Sequence, residues 1–170
     1  MTARCCQLRW VLPAIGVVLA LSSCAVATTN QYSATARVTY TWRVEYATNP
    51  QKPATTRIIN FASTSMLNHN GSEPPGAITG PDDRGLWWPA LPPRPIVDEI
   101  EQHQRPFEEV GPPQLLKSVK YQVTYQTSGK SVTLPTNYQV YRQVAKAYAS
   151  KQPLKFILGL GHFVLKAEPQ

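Results

Sequence analysis

Glu99 and His103 are four residues apart, so on a helix they would share a face and could offer a carboxylate and an imidazole to one metal ion. A catalytic zinc site needs a third protein ligand, and His69 and His162 are far away in sequence. The plain alternative is a solvated ion pair, so no metal and no other cofactor is expected. Asp82 and Asp83 offer a second chemistry, a carboxylate pair for acid–base work. Adjacent residues in Gly80-Pro81-Asp82-Asp83 more often cap a turn. Glycoside hydrolysis needs two carboxylates at a set separation across a sugar, which neighbours in sequence do not specify. The chain has no Gly-x-Ser-x-Gly, and Ser63, Ser65 and Ser72 have no evident base beside them. Gly159-Leu160-Gly161 lacks the third glycine and the following helix of a phosphate loop. No catalytic residue is assigned. A small hydrolase or carbohydrate-active protein is the alternative reading, and it needs several of Asp82, Asp83, Glu99 and His103 in one pocket.

Binding is the leading expectation. Trp87-Trp88-Pro89 could form an aromatic platform for a sugar or a peptide. The competing reading is structural: both indoles tuck onto a sheet face and pin the segment, which burial of two large side chains favours. Arg142 and Lys146 share a helical face, where like charges repel slightly unless something anionic sits opposite. The candidate contact residues are therefore Trp87, Trp88, Arg94, Arg142 and Lys146.

The cysteines bound the rest. Cys5, Cys6 and Cys24 are the only three, so the chain beyond Cys24 has no disulfide, thiolate zinc site or cysteine nucleophile. Arg4 and Arg9 precede an apolar run from Val11 to Leu21, the pattern of an export signal. The run is short and holds Pro13 and Gly16, which suits a spanning helix poorly.

Leu21-Ser22-Ser23-Cys24 resembles the lipobox of bacterial lipoproteins. The resemblance is confined to the leader, residues 1–23. It implies cleavage before Cys24 and a lipid on the Cys24 sulfur. The chain would then be anchored in the envelope, on the outer side of the cytoplasmic membrane or in the outer membrane. Two other readings stay open. Ala25-Val26-Ala27 offers an ordinary cleavage site that would release a soluble chain, and an uncleaved leader could serve as the anchor. The expected partners are the membrane, through the lipid on Cys24, and another envelope protein. An exported chain would rarely meet nucleic acid, so none is expected.

Charge is uneven along the 170 residues, whose net is +7. Residues 73–116 set eight carboxylates against Arg84, Arg94 and Arg105, and residues 117–170 set eight basic residues against Glu168 alone. That basic third could attract anionic headgroups, form a solvated face, or hold the acidic middle by opposite charge. Of the sixteen prolines, twelve lie between Pro50 and Pro113, which marks the middle as irregular.

These residues need a frame. Arg37 to Tyr46 alternates apolar and polar side chains and predicts a strand. A weaker strand follows from Thr56 to Ser63, with Ile59 and Phe61 inward. Lys117 to Gln126 alternates again and turns at Thr127-Ser128-Gly129-Lys130 into Ser131 to Leu134. Thr136 or Asn137 would cap a helix carrying Tyr138, Tyr141, Val144, Ala145 and Tyr148 to about Ser150. Leu154 to Lys166 reads as one final strand with a bulge at Gly159 and Gly161. Ile96 to Gln104 reads as a short acidic helix ended by Pro106. The predicted class is α+β: a mainly antiparallel sheet of about four to five strands with one packed helix. The single domain is 32–170, with a proline-rich insertion at 65–116 and residues 24–31 as a tether.

Overall fold

The computed structural model describes residues 26–49, 52 and 56–170. Cys24 and the leader lie outside the described residues. In chain order the elements are strands Val26–Thr29 (β1), Tyr32–Ala47 (β2) and Thr56–His69 (β3), helix Val97–Gln102 (α1), strands Glu109–Val110 (β4), Gln114–Thr127 (β5) and Lys130–Thr136 (β6), helix Tyr138–Tyr148 (α2), and strands Leu154–Gly159 (β7) and Phe163–Pro169 (β8).

The class differs from the expectation. The described residues are mainly β, with eight strands in one mixed sheet and two helices, rather than four to five strands and one helix. The strand order is β1-β7-β8-β6-β5-β2-β3, with β4 paired to β2. Every pairing is antiparallel except β6 with β8, which meet in parallel at Thr136 and Val164.

The departures at β7–β8, β3 and β1 each have a physical cause. Leu154 to Lys166 is two strands and not one, because Gly161 and His162 take positive φ and reverse the chain. β3 runs on to His69 because Thr64, Met66 and Asn68 keep turning inward, a pattern too polar to announce a buried face. A register shift opposite Thr41 and Arg43 exchanges inward parity in β3, which puts Ile59 and Phe61 on the packed side as expected. Val26–Thr29, read as part of a tether, instead pairs with β7, with Ala27 opposite Phe156 and packed on the core.

Only Asn30 and Gln31 separate β1 from β2, yet they stand on opposite sides of four intervening strands. The sheet must therefore curl until those strands nearly meet, and α2 fills the hollow. Tyr32, Ala34, Ala36, Val38 and Tyr40 line the concave face in strict alternation, and small Ala34 and Ala36 leave room for Val140, Tyr141 and Val144 of the helix. Asn137 caps α2 as its position predicts, its side chain accepting from Val140 N at 3.0 Å. A second, smaller cluster gathers Val44, Tyr46 and Ile100 where α1 covers the far end of β2. Tyr46 Oη donates to the Ile100 carbonyl at 2.8 Å, which satisfies a buried hydroxyl.

Candidate functional site

The insertion is held to the sheet by named side chains. Asn68 is fully buried at the end of β3, where its Oδ1 accepts from Trp87 N at 2.7 Å and its Nδ2 donates to the Trp87 carbonyl at 2.9 Å. One side chain thus satisfies both backbone groups of Trp87, a substitute for a missing strand partner. Thr64 Oγ1 donates to the Ala90 carbonyl at 2.7 Å, and Trp42 Nε1 to the Pro92 carbonyl at 3.0 Å. Trp88 is 8% exposed and stacks on Tyr40 with ring centroids 4.9 Å apart. Most of its indole is committed to the core. Trp87 is half-buried.

Beside this contact lies an open cleft of about 460 Å³, lined by Tyr40, Gly80, Pro81, Asp82, Trp88 and Lys117. Lys117 Nζ stands 5.4 Å from the Tyr40 ring centroid and 5.5 Å from that of Trp88. A lysine near two aromatic rings gives the cleft a cation beside apolar walls, with the Asp82 carboxylate also in its lining. Such a lining suits a group with a flat apolar part and an anionic or polar edge. A similar pair flanks it, with the Arg94 guanidinium 5.7 Å from the Trp42 ring centroid.

The expected acid–base residues are otherwise occupied. Asp82 Oδ1 accepts from the backbone amides of Arg84 and Leu86, both at 2.9 Å, and Oδ2 accepts from Trp88 Nε1 at 2.8 Å. Asp83 is exposed. Glu99 reaches back to Ile96 N at 3.1 Å and caps α1. The His103 ring meets Phe61 edge-on, with centroids 5.4 Å apart. Asp82 thus serves the main core while Glu99 and His103 serve the smaller one. Among the described residues no group of three metal-ligating side chains forms.

The strongest local electrostatics lie at the second cluster. Arg57 donates to both Glu108 carboxylate oxygens, from Nε at 3.1 Å and from Nη2 at 2.7 Å. The Arg57 hydrogen bond, helped by the Arg105 amide, holds the Glu108 carboxyl below the usual carboxylate range. Arg57 also lies 4.7 Å from the Tyr46 ring centroid, and burial pushes the Tyr46 hydroxyl up. This pairing fastens the end of the insertion to β3.

Arg142 and Lys146 lie exposed on the solvent side of α2, away from Tyr141 and Val144. They do not join the Trp87–Trp88 surface through any hydrogen bond or ion pair among the described residues. Asn68, Tyr40 and Lys117 build the cleft and its support, and sequence reasoning passed over all three. The only signal for Asn68 was inward parity along β3, which the register shift concealed. No family model, curated protein or solved structure matches this chain.

Proposed function

We propose that this is a lipid-anchored envelope protein that binds or scaffolds an envelope partner, with acylated Cys24 as the anchor. The observation that carries the reading is the position of β1. Cleavage after Ala27 would cut through β1 and remove Val26 and Ala27, the register partners of Ile157 and Phe156. Ala27 packs on the main core, so that cut would cost folding energy. Cleavage before Cys24 leaves β1 whole. The lipobox is thus favoured over the ordinary signal-peptidase site by the needs of the fold itself.

The insertion supplies the binding face. Trp87 is half-buried, Arg94 stands over Trp42, and Lys117 brings a cation to the adjoining cleft. Arg142 and Lys146 form a separate basic edge on α2. Metabolic labelling with a clickable fatty acid tests the anchor: label on the wild type and none on Cys24→Ser is expected. A mature chain beginning at Thr28 would sink the reading. Photo-crosslinking from Leu91, which is 59% exposed beside Pro92, tests the binding face in whole cells. A specific adduct that Arg94→Glu abolishes is expected; none from this position would remove the face from the proposal.

A further inference from the structure

The convex side of the sheet is mostly polar, carrying Thr35, Arg37, Thr39, Ser63, Ser65 and Lys120. One corner departs from this. Val26 and Ile157 are register partners and so point to the same face. Val26 is 52% exposed. Lys166 pairs with Ile157, so the apolar pair continues into β8 with a lysine at its margin. Leu165 is the extra residue where the β7–β8 register shifts, is 51% exposed, and lies over Gly159. Leu160, at the β7–β8 turn, is 96% exposed. Lys155 stands on the same face two residues before Ile157.

The same corner holds Val26, the first residue of β1. Cys24 is two residues before Val26 in sequence, and two residues reach at most about 7 Å. Leu160 follows Ile157 by three residues, just past the end of β7, so it lies within about 10 Å. An acyl chain on Cys24 would therefore enter the bilayer beside this patch, with no length of tether to hold it away. A turn leucine backed by exposed apolar strand residues and a lysine margin matches the layering of a bilayer interface, with apolar side chains below and amines at headgroup level. Glu168 bonds Lys166, so of the two lysines only Lys155 adds net charge to the margin, and the apolar residues bear most of the contact.

We propose that the β7–β8 turn, with Leu160 at its apex and Leu165 and Val26 behind it, inserts into the bilayer interface beside the anchor and sets the orientation of the domain. The inference rests on acylation of Cys24 as proposed above. It turns the far end of β2, with α1, away from the membrane.

The test uses the full chain, processed and acylated in cells and reconstituted into vesicles of phosphatidylethanolamine and phosphatidylglycerol. Processing at the lipobox removes Cys5 and Cys6, and acylation consumes the Cys24 thiol, so Leu160→Cys introduces one free thiol for an environment-sensitive fluorophore. Glu101→Cys, on α1, is the control. A blue-shifted emission at position 160, lost on adding nitroxide-labelled lipid, with an aqueous signal at position 101, is expected. Equal access of iodide to both positions, with the Cys24 acyl group present by mass spectrometry, would overturn the contact and leave the anchor standing. A probe at position 160 shielded from iodide but untouched by nitroxide lipid would assign the patch to a second copy instead. No acyl mass on Cys24 would remove the anchor and this inference together.

Discussion

Asp82 Oδ2 accepts the indole proton of Trp88 at 2.8 Å, and its other oxygen accepts two backbone amides of the same turn. One carboxylate thus ties a turn of the insertion to an aromatic side chain seated on β2. Asp82→Ala strands the nearly buried Trp88 donor and frees two turn amides, so it should lower stability by about 2–3 kcal/mol. Asp83→Ala, on an exposed neighbour, should stay within about 0.5 kcal/mol. Urea denaturation of both variants measures the contrast. Equal losses would mean that Asp82 acts by charge alone and not by its three hydrogen bonds.

The two tryptophans should also separate. Trp88 is buried against Tyr40, so Trp88→Ala should cost about 3–5 kcal/mol, as for other large core aromatics. Trp87 is half-buried and held through its backbone by Asn68, an anchorage that Trp87→Ala retains. That variant should fold, losing about 1–2 kcal/mol from its smaller burial, and any binding defect should appear in it. Thermal unfolding followed by Arg94-face crosslinking distinguishes the two. A Trp87 variant as unstable as the Trp88 variant would show that both indoles serve the core.

Gly80 should tolerate no side chain. Its φ is +142°, and a Cβ there would stand 2.9 Å from both the Leu86 carbonyl oxygen and the Trp87 Cα. Both obstacles are backbone, so neither can swing aside. Gly76 has φ +79° with open space around it. Gly76→Ala should cost about 1 kcal/mol from the left-handed backbone alone. Gly80→Ala adds a clash and should cost at least about 3 kcal/mol. Differential scanning calorimetry of the pair separates backbone strain from collision. Similar midpoints would refute the close approach of the 80 and 87 backbones.

Legibility in the sequence followed the chemistry of each element. β2, the β5–β6 hairpin and α2 announced themselves because period and cap agree: Val38, Tyr40, Val44 and Tyr46 alternate, Ser128 and Gly129 take positive φ, and Asn137 caps. β1 was hidden because Val-Ala-Thr-Thr is too short to show a period and owes its strand state to β7. β3 beyond Ser63 was hidden because its inward side chains include Thr64 and fully buried Asn68, which hydropathy scores as exposed. The insertion looks irregular because its backbone pairing is confined to the two-residue β4 and the Thr79–Trp88 bridge, while Asn68, Thr64 and Trp42 hold much of the rest through side chains. Of the candidate site, the tryptophans and Arg94 were visible as residue types. Their partners were not, since Tyr40 and Lys117 are distant in sequence and meet Trp88 only after the sheet forms.

Acid should loosen the insertion at its far end first. Glu108 is held below the ordinary carboxylate range, chiefly by its hydrogen bond from Arg57. A carboxyl whose folded pKa is depressed binds its proton more readily in the unfolded chain. Its contribution is therefore complete above the unfolded value, about 4.3, and is lost as pH falls below it. Between about pH 6 and pH 3 the urea midpoint of the wild type should drop, and that of Glu108→Gln should start lower and drop less. Hydrogen exchange should place the early opening at β4 and α1, leaving the amides of α2 protected. Parallel acid profiles for wild type and variant would show that the Arg57–Glu108 pair does not govern this limb. The remaining candidate would then be Glu168, whose carboxyl Lys166 also holds low, at the corner of the sheet where β8 meets β7.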